Sequence, residues 1–261
     1  MNQQYGICNL SVIPVRAEPS HQSEMVTQLL FGEFFKIIET KDKWAKILIA
    51  HDEYEGWIDH KQFAFISDDT FKELTEFKNI SGLAIDQQII KKDTGEVLNL
   101  VAGSNFPLYS DHVCRINDVI YQLEKPPVQP KKSSFDLNII NSAKFYLNAP
   151  YLWGGRSVFG IDCSGFTQMV YRQFGIKLNR DAWQQALQGE LVGFLQQARA
   201  GDLAFFDNED GRITHVGIML NNTQIIHASG RVKIDAIDDE GIYVDELKYY
   251  THKLRIIKRF N

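Results

Sequence analysis

The pattern of apolar and polar residues divides the chain into a strand-rich first half and a second half with helices before strands. In the first half, short runs of β-branched and aromatic residues occupy 34–39, 44–49 and 55–59, separated by polar turn residues. Such closely spaced short strands are typical of small all-β barrels. We therefore predict a barrel over residues 1–66.

Residues 67–121 carry a weaker pattern of the same kind. A short helix is predicted over 68–77, followed by strands at 87–90 and 97–102 with an Asp-Thr-Gly turn between them. This segment is predicted to form a second, divergent β module.

Residues 122–134 contain three prolines within a polar run. Proline lacks a backbone N–H and is excluded from helix interiors and central strands. We interpret this segment as an extended linker between the β modules and the rest of the chain.

Residues 135–261 begin with helical spacing of apolar residues between 135 and 147. A second helix is predicted to start after Asp162 and to end near Gly175, with a further helical segment around 181–187. Four strands are then predicted, at residues 202–206, 214–220, 224–229 and 242–247. Helices followed by an antiparallel sheet predict an α+β domain, so the whole chain is predicted to be multidomain.

The composition narrows the choice of partner. The chain has 261 residues, 44% hydrophobic and 23% charged, with a net charge of -5. Without a basic block, neither nucleic acid nor a membrane surface is an expected partner. No apolar run or basic leader is seen at the start, and the three cysteines form no C-x-x-C pair, so a cytoplasmic, reducing location is expected. The alternative that an artificial start replaces a natural signal sequence stays open.

Cys163 is the first candidate for chemistry. With Asp162 as the N-cap, the thiol lies in the first turn of a helix, where the dipole favours a thiolate. Cysteines in such positions have pKa values of about 3.5 to 7.5 when an imidazole is near. The sequence therefore predicts a nucleophile, with a small buried hydrophobe as the alternative.

His215 and His227 lie on consecutive predicted strands, and the register of the hairpin decides whether they meet. A two-residue turn at Asn221 and Asn222 would point the imidazoles to opposite faces. A three-residue loop over 220–222, or a bulge, would instead place His215 opposite His227. His215 could then act as the base for Cys163, with His227 holding its second nitrogen.

The same three side chains are also competent zinc ligands. The closely spaced ligand pair usual in zinc sites is absent from the sequence, so we predict no metal and no cofactor. The remaining histidines lie in polar or turn contexts and are expected to be solvated: His21, His51, His60, His112 and His252.

Five blocks of the second half together resemble a known family. They are YLWGGRSVFGIDCSGF, NRDAWQQ, AGDLAFF, THVGIM and IIHAS, which occur in order within residues 135–261. They resemble the NlpC/p60 family of papain-like bacterial cell-wall cysteine peptidases. That resemblance implies hydrolysis of the bond between γ-D-glutamate and the following diamino acid in peptidoglycan stem peptides. It also implies Cys163 as nucleophile, His215 as base and His227 as the orienting residue.

The first half is similar to bacterial SH3-like barrels. Two such modules without a secretion signal resemble the intracellular dipeptidyl-peptidases that release L-Ala-γ-D-Glu during recycling of wall peptides. In that branch a barrel closes one end of the cleft and requires a free amino-terminal alanine. The candidate acceptors for its ammonium group are Asp162, Glu24 and Tyr54. The alternatives are a helix cap, a solvated loop acid and a barrel-packing aromatic residue, respectively.

Four further residues follow from the motif blocks. Tyr151 is expected to complete an oxyanion hole with the backbone N–H of Cys163. Trp153 is expected to line the cleft, with a buried packing role as the alternative. Ser164 and Asp181 match family positions on the γ-D-Glu and amine side of the site.

The sequence leaves other functions open. These are an endopeptidase acting on intact stem peptides, a wall-peptide binding module, and a thiol acyltransferase on the same fold. The choice between L-lysine and meso-diaminopimelate as the third residue also stays open.

Overall fold

The computed structural model describes residues 4–76 and 80–260. Its internal contacts divide the chain into two units, Met1–Pro130 and Lys131–Asn261. Residue 77, the last residue of the first predicted helix, lies outside the described residues.

The first unit begins with a seven-stranded sheet in the order β3-β2-β6-β5-β4-β1-β7. Its strands are β1 Gln4–Ile7, β2 Val12–Arg16, β3 Met25–Leu30, β4 Phe34–Lys41, β5 Trp44–Ile49, β6 Glu55–Asp59 and β7 Ala64–Ile66. Alternate residues of β2, Ile13 and Val15, are fully buried, as the period of a strand with one core-facing side requires. The three predicted strands in this region are confirmed.

A short helix and a smaller sheet complete the first unit. Helix α1 spans Asp68–Glu76, and a four-stranded sheet in the order β10-β11-β8-β9 follows. Its strands are β8 Gln87–Lys91, β9 Val97–Leu100, β10 Val113–Ile116 and β11 Val119–Leu123. One core joins the two sheets, because Ile7 and Phe31 pack in the same buried cluster as Ile89 and Tyr121.

The segment predicted as a linker is partly structured. Its first two residues are the end of β11, and Val128 forms an isolated β-bridge with Ile80. A short 3-10 turn at Lys132–Ser134 then leads into the second unit.

The second unit places its helices before a long sheet. The helices are α2 Phe135–Lys144, α3 Cys163–Arg172 and α4 Ala182–Ala186, with the short pair β12 Arg156–Ser157 and β13 Gly160–Ile161 between α2 and α3. The later strands are β14 Glu190–Val192, β15 Leu203–Asp207, β16 Ile213–Met219, β17 Gln224–Ser229, β18 Arg231–Ile237, β19 Gly241–Val244 and β20 Tyr249–Arg259.

These strands close into a barrel. The order is β14-β20-β15-β16-β17-β18-β19, and β19 also pairs with β20. The predicted antiparallel sheet is confirmed, and it closes into a six-stranded barrel with β14 added at its side. Strands β14, β18 and β20 were not predicted, because their charged residues interrupt the apolar alternation.

Helix α3 starts and ends where its sequence dictates. The Asp162 carboxylate accepts the N–H of Gly165 at 2.6 Å, which confirms the predicted N-cap. After the last turn Gly175 adopts a φ of 70°, and the Ile176 N–H bonds the Tyr171 carbonyl in a Schellman-type closure. In the part of the chain that the structure describes, no helix has the length and apolar character to cross a membrane.

The shared core of the first unit gives a stability prediction. Phe31 is fully buried and packs edge-on against Tyr121, with ring centroids 5.2 Å apart. We expect Phe31→Ala to destabilise the first unit by about 3 to 5 kcal/mol. Phe65→Ala is the matched control, because Phe65 is 52% exposed and its loss should cost only about 0.5 kcal/mol. Hydrogen exchange of the amides of β1 to β11 in rising urea measures both effects, and equal effects would contradict a shared core.

Candidate active site

Cys163 is the first residue of α3 and is 7% exposed. Its thiol lies beside the backbone amides of Val216 and Ser164, both of which act to lower the pKa of the thiol. Val216 directly follows His215 on β16, so the thiol lies against the strand that carries the predicted base. The structure thus brings the helix start and this strand together.

A buried ion pair holds the start of α3. Asp162 and Arg180 form a bidentate contact, with Nη2 to Oδ2 at 2.6 Å and Nη1 to Oδ1 at 3.0 Å. The same carboxylate accepts the N–H of Gly154 at 2.8 Å. Together with the capping bond to Gly165, these contacts occupy the lone pairs of Asp162. Arg180 was not predicted as a site residue, although it lies in the NRDAWQQ block.

The charge of Asp162 is therefore already neutralised by Arg180. The predicted role of Asp162 as an acceptor for a substrate ammonium group stays a prediction. The contacts of the Asp162 carboxylate favour the alternative role, that of a helix cap. A substrate amine would have to bind the same carboxylate in addition to these contacts.

Ser164 and Asp181 are close to the two members of this ion pair in the sequence. The Ser164 hydroxyl accepts Nη1 of Arg180 at 2.9 Å, and its carbonyl accepts the side chain of Gln185 at 3.0 Å. Asp181 precedes α4, and its backbone N–H donates to the side chain of Gln184 at 3.1 Å. Their roles in substrate binding stay predictions.

The β16–β17 hairpin brings His215 and His227 together. Gly217 pairs with His227, and the Leu220 N–H bonds the Gln224 carbonyl, leaving a three-residue loop over 221–223. The loop has three residues, as in the second alternative, but it is shifted by one residue from 220–222. Direct opposition of the histidines is therefore wrong: His215 is diagonal to His227 on the same face. Diagonal neighbours are still within reach, and the Nε2 of His215 lies 2.8 Å from the Nδ1 of His227.

The hydrogen-bond chain continues to Asp235 on β18. The Nε2 of His227 lies 2.9 Å from the Oδ2 of Asp235, and the side chain of Asp235 is 13% exposed. Lys233 contacts the same oxygen at 2.9 Å. Sequence reasoning missed Asp235 because strand β18 was not predicted.

His252 corrects the expectation that all remaining histidines are solvated. It lies on β20, half-buried, with its ring stacked on His215 at a centroid distance of 4.1 Å. Nitrogen atoms of His215, His227 and His252 lie within 4.8 Å of one another, which raises the possibility of a metal site. Stacked rings direct their in-plane lone pairs along parallel lines, however, so His215 and His252 suit packing better than chelation.

Burial sets the protonation of the site. It raises the pKa of Cys163 to about 12, and the Asp162 charge acts in the same direction. Burial also lowers the pKa of His215 well below 6.5, with His227 and His252 adding to the shift. Both shifts favour a neutral thiol and a neutral imidazole. The predicted low pKa of Cys163 is therefore wrong for the substrate-free site, because burial outweighs the helix dipole.

Tyr151 and Trp153 lie in the segment between α2 and β12. Burial raises the pKa of Tyr151 to about 12, and the nearby Cys163 and Asp162 add to the rise. The hydroxyl therefore stays protonated and can donate to a developing oxyanion. Trp153 is 60% exposed, which excludes its alternative role as a buried packing residue.

Glu24 and Tyr54 lie in the first unit. Glu24 is exposed immediately before β3, and its carbonyl accepts the N–H of Ala17 at 2.9 Å. Tyr54 precedes β6 and packs partly buried against the core of the seven-stranded sheet. Their proposed contact with a substrate amine stays a prediction.

Comparison with known proteins finds two family matches within the chain. Residues 148–253 match the NlpC/P60 family, and residues 15–63 match the bacterial dipeptidyl-peptidase SH3 domain. The chain is similar to the γ-D-glutamyl-L-lysine dipeptidyl-peptidase of Bacillus cereus, with 26% identity over 87% of this chain and 74% of the relative. It is also similar to the protein of the same name from Bacillus subtilis, with 28% identity over 87% of this chain and 76% of the relative.

A solved structure supports the fold. The crystal structure of an NlpC/P60 family protein from Bacillus cereus matches 98% of this chain and 99% of its own, with a TM-score of 0.81 and 19% identity. The chain thus carries an NlpC/P60 family domain preceded by a bacterial dipeptidyl-peptidase SH3 domain.

Proposed function

We propose that the protein is a cysteine peptidase that hydrolyses the γ-D-glutamyl bond to the diamino acid of peptidoglycan stem peptides. The observation that carries this proposal is the buried thiol of Cys163 beside the Val216 amide, which directly follows His215 on β16, together with the hydrogen bond between His215 and His227. Acyl transfer by a cysteine requires a thiol and a neutral, oriented imidazole, and here the imidazole lies on the strand against which the thiol packs.

The chemistry follows from the neutral resting pair. His215 takes the thiol proton as the sulfur attacks the γ-carbonyl carbon, and the backbone N–H of Cys163 and the hydroxyl of Tyr151 stabilise the oxyanion. His215 then returns the proton to the leaving amine of the diamino acid. Water, activated by the same imidazole, hydrolyses the thioester and frees the γ-carboxylate and the thiol.

The named relatives support a dipeptidyl-peptidase. Both Bacillus proteins are called γ-D-glutamyl-L-lysine dipeptidyl-peptidases, which agrees with release of L-Ala-γ-D-Glu from a substrate with a free amine. We extend the proposal to cytoplasmic recycling of wall peptides, with Glu24, Tyr54, Ser164 and Asp181 as candidate substrate contacts. Action on intact stem peptides is the alternative.

The first prediction concerns the reaction. Incubation with L-Ala-γ-D-Glu-L-Lys or its meso-diaminopimelate counterpart should give L-Ala-γ-D-Glu, detected by mass spectrometry. Cys163→Ala and His215→Ala should each lower kcat by about 10⁴-fold or more, because the nucleophile and its base act as one unit. Cys114→Ala, a buried thiol of the first unit, should retain activity. Substantial turnover by Cys163→Ala would exclude this mechanism.

The second prediction concerns the substrate amine. The free tripeptide should be cleaved with a far higher kcat/KM than the same peptide acetylated at its amine, because acetylation removes the positive charge and adds bulk. Glu24→Gln should narrow this difference if Glu24 meets the amine. Comparable rates on both substrates in the intact protein would instead favour an endopeptidase acting on intact stem peptides.

The third prediction concerns pH. A base with a lowered pKa stays unprotonated to lower pH, and a thiol with a raised pKa keeps its proton to higher pH. The kcat at saturating tripeptide should therefore stay level between pH 6.5 and 9.0, the ordinary pKa values of the two groups. We use kcat because kcat/KM also falls when the free α-amine of the substrate loses its proton at about pH 8. On the acid side, activity should decrease only below pH 6.5. Two results together would indicate a resting ion pair of Cys163 thiolate and His215 imidazolium instead. Activity would fall on the alkaline side between pH 6.5 and 9.0, and the wild type would show thiolate absorbance at neutral pH that Cys163→Ala lacks.

A further inference from the structure

The hydrogen-bond chain His215–His227–Asp235 fixes where each imidazole carries its proton. A carboxylate only accepts, so the Nε2 of His227, 2.9 Å from Asp235, must carry a hydrogen. Burial acts to raise the pKa of Asp235, but hydrogen bonds from His227 and Lys233 lower it overall, so this carboxylate is ionised. The bond from His227 at 2.9 Å favours the ionised form by itself and does not depend on Lys233.

The proton positions on the other imidazole nitrogen atoms follow from this first hydrogen bond. Burial lowers the pKa of His227, so its ring is neutral and its Nδ1 carries no proton. That nitrogen must accept the bond from the Nε2 of His215 at 2.8 Å, which therefore carries a hydrogen. The Nδ1 of His215 is then the unprotonated nitrogen, and this is the atom left to receive a proton from Cys163.

We propose that Asp235 is a positioning residue that selects the productive tautomer of His215 through His227. This proposal rests on the proposed peptidase function, since it names the residue that prepares the base. If Asp235 is absent, His227 can carry its proton on Nδ1 and donate it to the Nε2 of His215. His215 then carries its own proton on Nδ1 and cannot accept the one from the thiol.

A purely structural role for Asp235 makes a different prediction. Asp235 also forms an ion pair with Lys233 on the same strand, at 2.9 Å, and this pair could simply stabilise the barrel. Lys233→Gln removes the ion pair and leaves the bond between Asp235 and His227 in place. It is therefore the matched control for Asp235→Ala and Asp235→Asn.

The kinetic outcome separates the two roles. We expect Asp235→Ala to lower kcat about 10- to 100-fold, the loss expected for one hydrogen bond to a charged group, with little change in KM. The kcat of Asp235→Asn should lie between the values for the wild type and Asp235→Ala. Its amide oxygen can accept a hydrogen bond from His227, but its NH₂ group, if turned toward His227, favours the unproductive tautomer. Lys233→Gln should stay close to the wild type.

The tautomers can be observed without any substrate. Imidazole ¹⁵N chemical shifts should show protonated Nε2 on both His215 and His227 in the wild type and in Lys233→Gln, and mixed tautomers in Asp235→Ala. The other titratable side chains near these imidazoles, Cys163, His252 and Lys233, are still present in Asp235→Ala, so a change in the spectra reports on the loss of Asp235. If the tripeptide is not cleaved by the wild type, the proposed function fails while these spectra still test the tautomer assignment.

Two results would overturn the proposal. One is a wild-type tautomer pattern and wild-type kcat in folded Asp235→Ala. The other is an equal loss of kcat in Lys233→Gln and Asp235→Ala, which would assign Asp235 to the ion pair alone.

Discussion

The second unit depends on one buried contact, the bidentate pair between Asp162 and Arg180. The carboxylate simultaneously caps α3 through Gly165 and binds the N–H of Gly154, so it joins the turn, the helix and the segment before α4. Gly165 permits this packing, because a Cβ there would lie 2.4 Å from the carbonyl oxygen of Gly155. The ion pair need not add net stability, but removing Arg180 alone would cost about 3 to 5 kcal/mol by leaving a buried charge unpaired. Its value lies in fixing the position of Cys163.

Closure of the barrel places the other half of the site. His215, His227 and Asp235 come from the successive strands β16, β17 and β18, so neighbouring hairpins suffice to align them. His252 comes from β20, which is separated from β16 by β15 in the sheet. Its ring covers one face of His215, and burial lowers the pKa of His252 to about 4, with His227 and Lys233 adding to the shift. His252 is therefore a neutral cover over the base, which adds to its desolvation.

Local rules predicted the parts of this protein that local interactions determine. The cap at Asp162 and the stop at Gly175 both depend on a few adjacent residues. The exact register, the barrel closure and strand β18 depend on pairings between distant segments, which alternation alone does not specify. Asp235 and Arg180 were missed for the same reason, since each acquires its role only from a partner on another element.

The protonation of Cys163 also escaped local reasoning. A helix start favours a thiolate, but the sequence does not show that the thiol is 7% exposed, and desolvation penalises any charged form. Burial penalises the imidazolium form of His215 in the same way. A site that starts from two neutral groups has no resting ion pair to orient its base. Whether His215 can accept the thiol proton then depends on its tautomer rather than its charge. The hydrogen bonds from His215 to His227 and from His227 to Asp235 can fix this tautomer, because the Asp235 carboxylate can only accept.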